Sequence, residues 1–161
     1  MIERFIANSN RGLETFKEIN RDFILFKGSV AGSTEFPLDL TPENTYGKQI
    51  MQFVYKPISN NSIIEISPVI SIRTEQQAEN RGIFAVFIND NLYSQGGVFV
   101  YLPYADSGAI LYGSASYNNN SFDSVTIKVR AGLCFTPSNF TFNPYLNGHT
   151  SSSLMIKEFI K

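Results

Sequence analysis

Apolar and polar residues alternate most strictly over residues 122–131. Val125, Ile127, Val129 and Ala131 fall on one side, and Ser124, Thr126, Lys128 and Arg130 on the other. Such alternation predicts a strand with one face in a core. Residues 83–88 form an uninterrupted apolar run, which predicts a strand buried on both faces. Asn89-Asp90-Asn91 follows it, and these residues tolerate positive φ, so a tight hairpin is predicted there. Further strands are predicted at 23–27, 50–56, 92–94, 98–102, 109–117, 133–135, 140–142 and 153–160. One more is predicted at 62–66 and continues over 69–73, with Pro68 bending it or marking an edge. Residues 32–43 read as a long loop with room for one short strand. Residues 75–81 read as a loop or a single helical turn, and Asn118-Asn119-Asn120 as a turn.

The first twenty residues have a different pattern. Leu13, Phe16 and Ile19 recur every three residues, after Ile2, Phe5 and Ile6. A short helix and an extended arm both fit, and a helix this short needs a partner to pack on. The chain therefore divides into an N-terminal arm or attachment segment, 1–20, and a β domain, 21–161. About eight to ten strands with turn signals every ~8–12 residues predict an all-β fold, an antiparallel β-sandwich or jelly roll. The absence of an internal repeat argues against a propeller or solenoid.

Composition adds exclusions. The 161 residues suit one domain. Thirteen Lys+Arg against fourteen Asp+Glu leave a net charge of −1, without the basic excess of a nucleic-acid binder. Fourteen Phe and eight Tyr argue against disorder, and are more than one small core usually needs, which suggests that some lie between subunits. Fifteen Asn and seventeen Ser describe a surface solvated by neutral polar groups. Charges at Glu3, Arg4, Arg11, Glu14, Lys17 and Glu18 break any signal-peptide core, so synthesis in a cytoplasm is expected. No apolar run approaches the ~20 residues of a membrane span, so no membrane insertion is expected.

Candidate chemistry is sparse. Cys134 and His149 are the only thiol and the only imidazole, too few for a common structural zinc site. Cys134 reads as a small buried hydrophobe, and His149 as a loop residue. Glu65, Glu75, Glu79, Asp90, Asp106, Asp123 and Glu158 are scattered, and no spacing pairs two of them across a cleft as a glycosidase needs. Arg130, on the polar side of its strand, suits a salt bridge or a backbone contact at a subunit interface, with anion binding as the alternative. No enzyme activity, cofactor or metal is expected. The best binding candidate is the segment 101–120, which mixes Tyr101, Tyr104, Tyr112 and Tyr117 with Asp106, Ser107, Asn118, Asn119 and Asn120. Tyrosines can stack on a sugar's apolar face while amides and carboxylates bond its hydroxyls. Ordinary turns and core tyrosines explain the same residues.

Three stretches carry a family resemblance. They are Phe53-Val54-Tyr55-Lys56-Pro57-Ile58-Ser59 with the following Asn60 to Ile66, Val125-Thr126-Ile127-Lys128-Val129-Arg130-Ala131-Gly132, and Tyr145-Leu146-Asn147-Gly148 with Ser152 to Phe159. Over roughly 50–160 the chain resembles the jelly-roll domains of bacteriophage fibre and virion-surface proteins, which are similar to the trimeric C1q/TNF-like fold. The resemblance implies a homotrimer, a virion location and contact with a host surface or capsid; attachment to other virion proteins through the N-terminal segment, which lies outside the match, and binding to a host-surface glycan are expected with it. The alternatives are a secreted lectin-like or cytokine-like β-sandwich binding module and a glycan-active enzyme.

Overall fold

The computed structural model describes residues 16–33, 35–37, 41–74, 80–96, 101–102, 108–134, 139–142 and 151–160. The chain is all-β, as predicted. Its strands are β1 (Lys17–Phe26), β2 (Val30–Gly32), β3 (Lys48–Tyr55), β4 (Ser62–Thr74), β5 (Asn80–Ile88), β6 (Asn91–Gly96), β7 (Tyr101–Leu102), β8 (Gly108–Tyr112), β9 (Ala115–Asn119), β10 (Val125–Leu133), β11 (Phe140–Phe142) and β12 (Ser152–Ile160). One sheet runs β1-β12-β4-β11-β2, with β8 and β9 on the other flank of β4. The second runs β3-β10-β5-β6, with β7 on β5. All the strand pairs are antiparallel.

The sheets face each other across a core to which both contribute. Ile64, Ile66, Ile70, Ile72, Leu154 and Ile156 come from the first; Phe84, Val86, Val125, Ile127 and Val129 come from the second. The predicted alternation of β10 holds, with Val125, Ile127, Val129 and Ala131 buried. The apolar run of β5 is buried on both faces as predicted. Phe84, Val86 and Ile88 enter the main core, while Ile83, Ala85 and Phe87 meet Phe36 and Cys134 in a second cluster. The hairpin joining β5 to β6 turns at Asn89 and Asp90, with φ of 49° and 66°. Positive φ at both positions gives the twist that matches paired strands.

Several elements differ from expectation. Among the described residues there is no helix, and β1 begins at Lys17, so the end of the expected arm belongs to the sheet. Its extended form follows from pairing: Lys17 meets Ile160, and Phe26 meets Ser152. Residues 109–117, expected as one strand, divide into β8 and β9 around Gly113-Ser114. Asn118 and Asn119, expected in a turn, end β9 opposite Ile63 and Ser62. Pro68 does not end a strand; β4 runs through it. On that flank β9 pairs through Ile66 and β8 resumes at Val69, so Pro68, which lacks an N–H, falls at a break in the ladder.

Gly47 has φ +59°, and a Cβ there would lie 2.6 Å from the Ala131 carbonyl oxygen and 2.6 Å from a Phe36 ring carbon. This tight turn seals the Phe36 cluster. Arg130 holds it from the other side: its Nε donates to the Tyr46 carbonyl at 2.7 Å, and its Nη2 donates to those of Gly47 at 2.8 Å and Thr45 at 3.2 Å. The backbone contact expected of Arg130 is thus made within the chain.

Candidate functional site

The outer face of the β4 sheet carries a cleft of about 270 Å³ near the start of β4, lined by Asn61, Ser62, Ile63, Asn118, Asn119, Asn120 and Phe159. A second hollow, of about 260 Å³, adjoins it through Ile63 and Phe159 and adds Phe16 and Glu65. The side chains arrive there by strand periodicity. On β4 the even-numbered residues point into the core, so Ile63 and Glu65 point outward. Register places Phe159 of β12 beside Ile63 on one flank and Asn118 of β9 beside it on the other.

A buried carboxylate builds the rim of the cleft. Glu158 has no exposed surface. It accepts hydrogen bonds from the Tyr55 hydroxyl at 2.7 Å, the Ser62 hydroxyl at 2.7 Å, the Ile58 N–H at 2.9 Å and the Ser59 N–H at 3.0 Å. Burial alone would raise its pKa. The four donors, Ile58 first and then Ser62, Tyr55 and Ser59, outweigh burial and hold the carboxyl below its ordinary value. Burial, helped by the facing carboxylate and opposed by a hydrogen bond from Asn20, pushes the Tyr55 phenol upward, so it stays a donor. Asn119 supports the same loop. It is buried, and its Nδ2 donates to the Ser59 carbonyl at 2.6 Å, the Ser121 carbonyl at 2.8 Å and the Ser62 hydroxyl at 3.3 Å. Asn61, Asn118 and Asn120 remain exposed around the fixed rim. The cleft thus offers primary amides beside the Phe159 ring, and none of the described residues that line it is a cation.

The residues singled out in the sequence separate. Asn118 stands in the cleft, while Asn119 is structural and buried beneath it. Tyr112 is 60% exposed on β8. It pairs with Val69, six residues along β4 from Asn118's partner Ile63, so the two lie roughly 20 Å apart. Tyr101 lies in the short strand β7, and Tyr104 and Asp106 fall outside the described residues, as does His149. Cys134 is buried as expected and donates to the Arg81 carbonyl at 3.0 Å; burial pushes its thiol up to about 11. Asp90 pairs with Lys128 at 2.6 Å. Among the described residues no cluster of His, Cys, Asp and Glu could hold a metal ion, and no helix is long and apolar enough to cross a membrane.

A second surface feature lies on the same sheet. Phe23 (63% exposed), Leu25 (49%), Val69 (38%), Ile110 (58%) and Tyr112 all point outward. They span β1, β12, β4 and β8, with Met155 beside Phe23 and Ser153 between Leu25 and Val69.

Fold and site together define an antiparallel β-sandwich with an amide-lined cleft on one outer face. No protein-family model matches the chain, and no curated protein matches it. Solved structures with a similar course include the EclA C-terminal domain, described as a sugar-binding protein, at 12% identity and TM-score 0.41 over 93% of this chain and 86% of that one. A family 35 carbohydrate binding module from Clostridium thermocellum aligns at 10% identity and TM-score 0.38 over 84% of this chain and 97% of that one. Dimeric latent PorU from Porphyromonas gingivalis aligns at 13% identity and TM-score 0.44 over 95% of this chain but 14% of PorU. Likenesses this distant leave the function to be read from the chain's own residues.

Proposed function

We propose that this chain is a non-enzymatic β-sandwich binding module that holds a neutral glycan in the cleft at the start of β4. The observation that carries this reading is the set of exposed amides, Asn61, Asn118 and Asn120, arranged on a hydrogen-bonded rim beside the Phe159 ring. Amides both donate to and accept from sugar hydroxyls, and an aromatic ring covers the apolar face of a pyranose. The described lining is amides, a hydroxyl and apolar groups, which suits a neutral sugar. Concave sites with a few fixed polar groups are where small ligands bind. The test is a glycan array followed by calorimetry on the best neutral oligosaccharide. Asn118→Ala and Phe159→Ala should each weaken binding at least about tenfold, which corresponds to about 1.4 kcal/mol. Binding that persists unchanged in both variants overturns the reading.

A second reading places the same module on a virion. There it would be a homotrimer joined to the particle by its N-terminal segment and would use the cleft for host attachment. The exposed apolar face around Val69 favours self-association. A solution mass of three chains and immunogold labelling of purified particles would support this reading. A single-chain mass at every concentration would remove its trimer.

A further inference from the structure

Beyond Ile63, the outward residues of β4 read Glu65, Ser67, Val69, Ser71, Arg73. This series is symmetric about Val69, with like residues two positions away on either side and opposite charges four positions away. We propose that this face docks on the same face of a second copy, about a two-fold axis that passes Val69, lies in the plane of the interface and is perpendicular to β4. That axis stacks the two β4 strands antiparallel. Each Glu65 then faces the other copy's Arg73, each Ser67 faces a Ser71, and Val69 meets its own equivalent. Residues level with Val69 also meet their equivalents: Leu25 on β1, Ser153 on β12 and Tyr112 on β8.

This central row carries Leu25, Val69 and Tyr112 with the small Ser153 among them, side chains that can each suit their own copy as an isologous contact requires. Phe23, Met155 and Ile110 extend the apolar surface to either side of the row. From Glu65 to Arg73 the face spans roughly 27 Å, and its four strands span roughly 19 Å. That footprint, roughly 500 Å² per partner, is smaller than the ~800 Å² of a standard interface and suits a weak dimer. Five exposed large apolar side chains on one sheet face exceed the scattered exposure usual on a monomer. Ser67 donates to Glu65 at 3.2 Å, which keeps the carboxylate on this surface. Arg73 has contacts of its own within the chain, and the docking uses its charge and position.

The inference does not rest on the glycan reading, although Glu65 at the edge of the docked face also lines the hollow that adjoins the cleft. Sedimentation equilibrium of the full chain should give a dimer in the micromolar range. Val69→Lys should raise the dissociation constant at least about a hundredfold. Glu65→Arg and Arg73→Glu should each weaken association about tenfold, and the double charge swap should restore it. Glu65 and Arg73 are eight residues apart on one strand and cannot meet within a chain, so rescue reports a contact between copies. Four results would overturn the proposal. They are a monomer at about 100 µM, a trimer, a dimer indifferent to Val69→Lys, and a double swap no better than either single swap. Circular dichroism of each variant separates lost docking from lost folding. Glycan binding that survives in a monomeric Val69→Lys would leave the cleft reading standing by itself.

Discussion

Replacing Glu158 with glutamine tests the organisation of the cleft rim most directly. The change keeps the size of the side chain and replaces one acceptor oxygen with an amide donor. Oε2 accepts from the Tyr55 hydroxyl and the Ile58 N–H; Oε1 accepts from the Ser62 hydroxyl and the Ser59 N–H. The hydroxyls can rotate and accept instead, but the two N–H groups cannot. Whichever way the amide is turned, its NH₂ confronts a backbone donor. One N–H is left unsatisfied at about 1–3 kcal/mol, and the remaining bonds lose the strength of a charged acceptor. Glu158→Gln should therefore destabilise the protein by about 2–4 kcal/mol in urea denaturation at pH 7.

The pH dependence has a definite sign. The folded pKa of Glu158 lies below its ordinary value of 4.5. The carboxylate's contribution is therefore fully present above pH 4.5 and is lost as pH falls through the lower, folded pKa. Wild-type stability should drop over that acid range, and Glu158→Gln should lack this part of the drop. A Glu158→Gln protein within about 0.5 kcal/mol of wild type at pH 7, with the same acid profile, would refute the account.

Three further substitutions separate function from folding and test the turn at Gly47. Asn118→Ala should leave stability within about 0.5 kcal/mol while lowering glycan affinity, whereas Asn119→Ala should cost about 1–3 kcal/mol by orphaning the Ser59 and Ser121 carbonyls; thermal melts of both variants, with calorimetry, compare them. Gly47→Ala forces a Cβ to within 2.6 Å of the Ala131 carbonyl at positive φ and should cost at least about 1 kcal/mol, read as a lowered melting temperature.

What could be read from the sequence follows the physics of each segment. β10 and β5 were legible because one sits between core and solvent and the other between two buried layers, so their patterns are clean. The Asn89-Asp90 hairpin was legible because its residues are those that positive φ allows. β1 was legible over 23–26, within the strand predicted at 23–27, but obscured over 17–22, where the three-residue recurrence of Leu13, Phe16 and Ile19 fits a helix as well as an arm. Glu18 and Arg21 also pair at a spacing that imitates a helix. The three consecutive asparagines look like a turn in any single-chain reading. Two of them are strand because β4 supplies partners, and that pairing joins segments more than fifty residues apart.

Half of the site had a sequence signal of its own. Asn118 was singled out for its amide, and it stands in the cleft. Tyr112, grouped with it, belongs to another place because segment proximity was taken for spatial proximity, whereas β8 and β9 meet β4 at opposite ends. Glu158 carried a stronger cue. In β12, Ser152, Leu154, Ile156 and Glu158 share one phase, and Met155, Lys157 and Phe159 share the other. An acid in step with leucine and isoleucine on an amphipathic strand must be buried, and a buried carboxylate must be met by donors. Glu65 is out of step with Ile64 and Ile66 and so belongs to the surface. Phase, more than residue type, therefore separates the acid that builds the cleft rim from the acid available to a ligand or to a second copy.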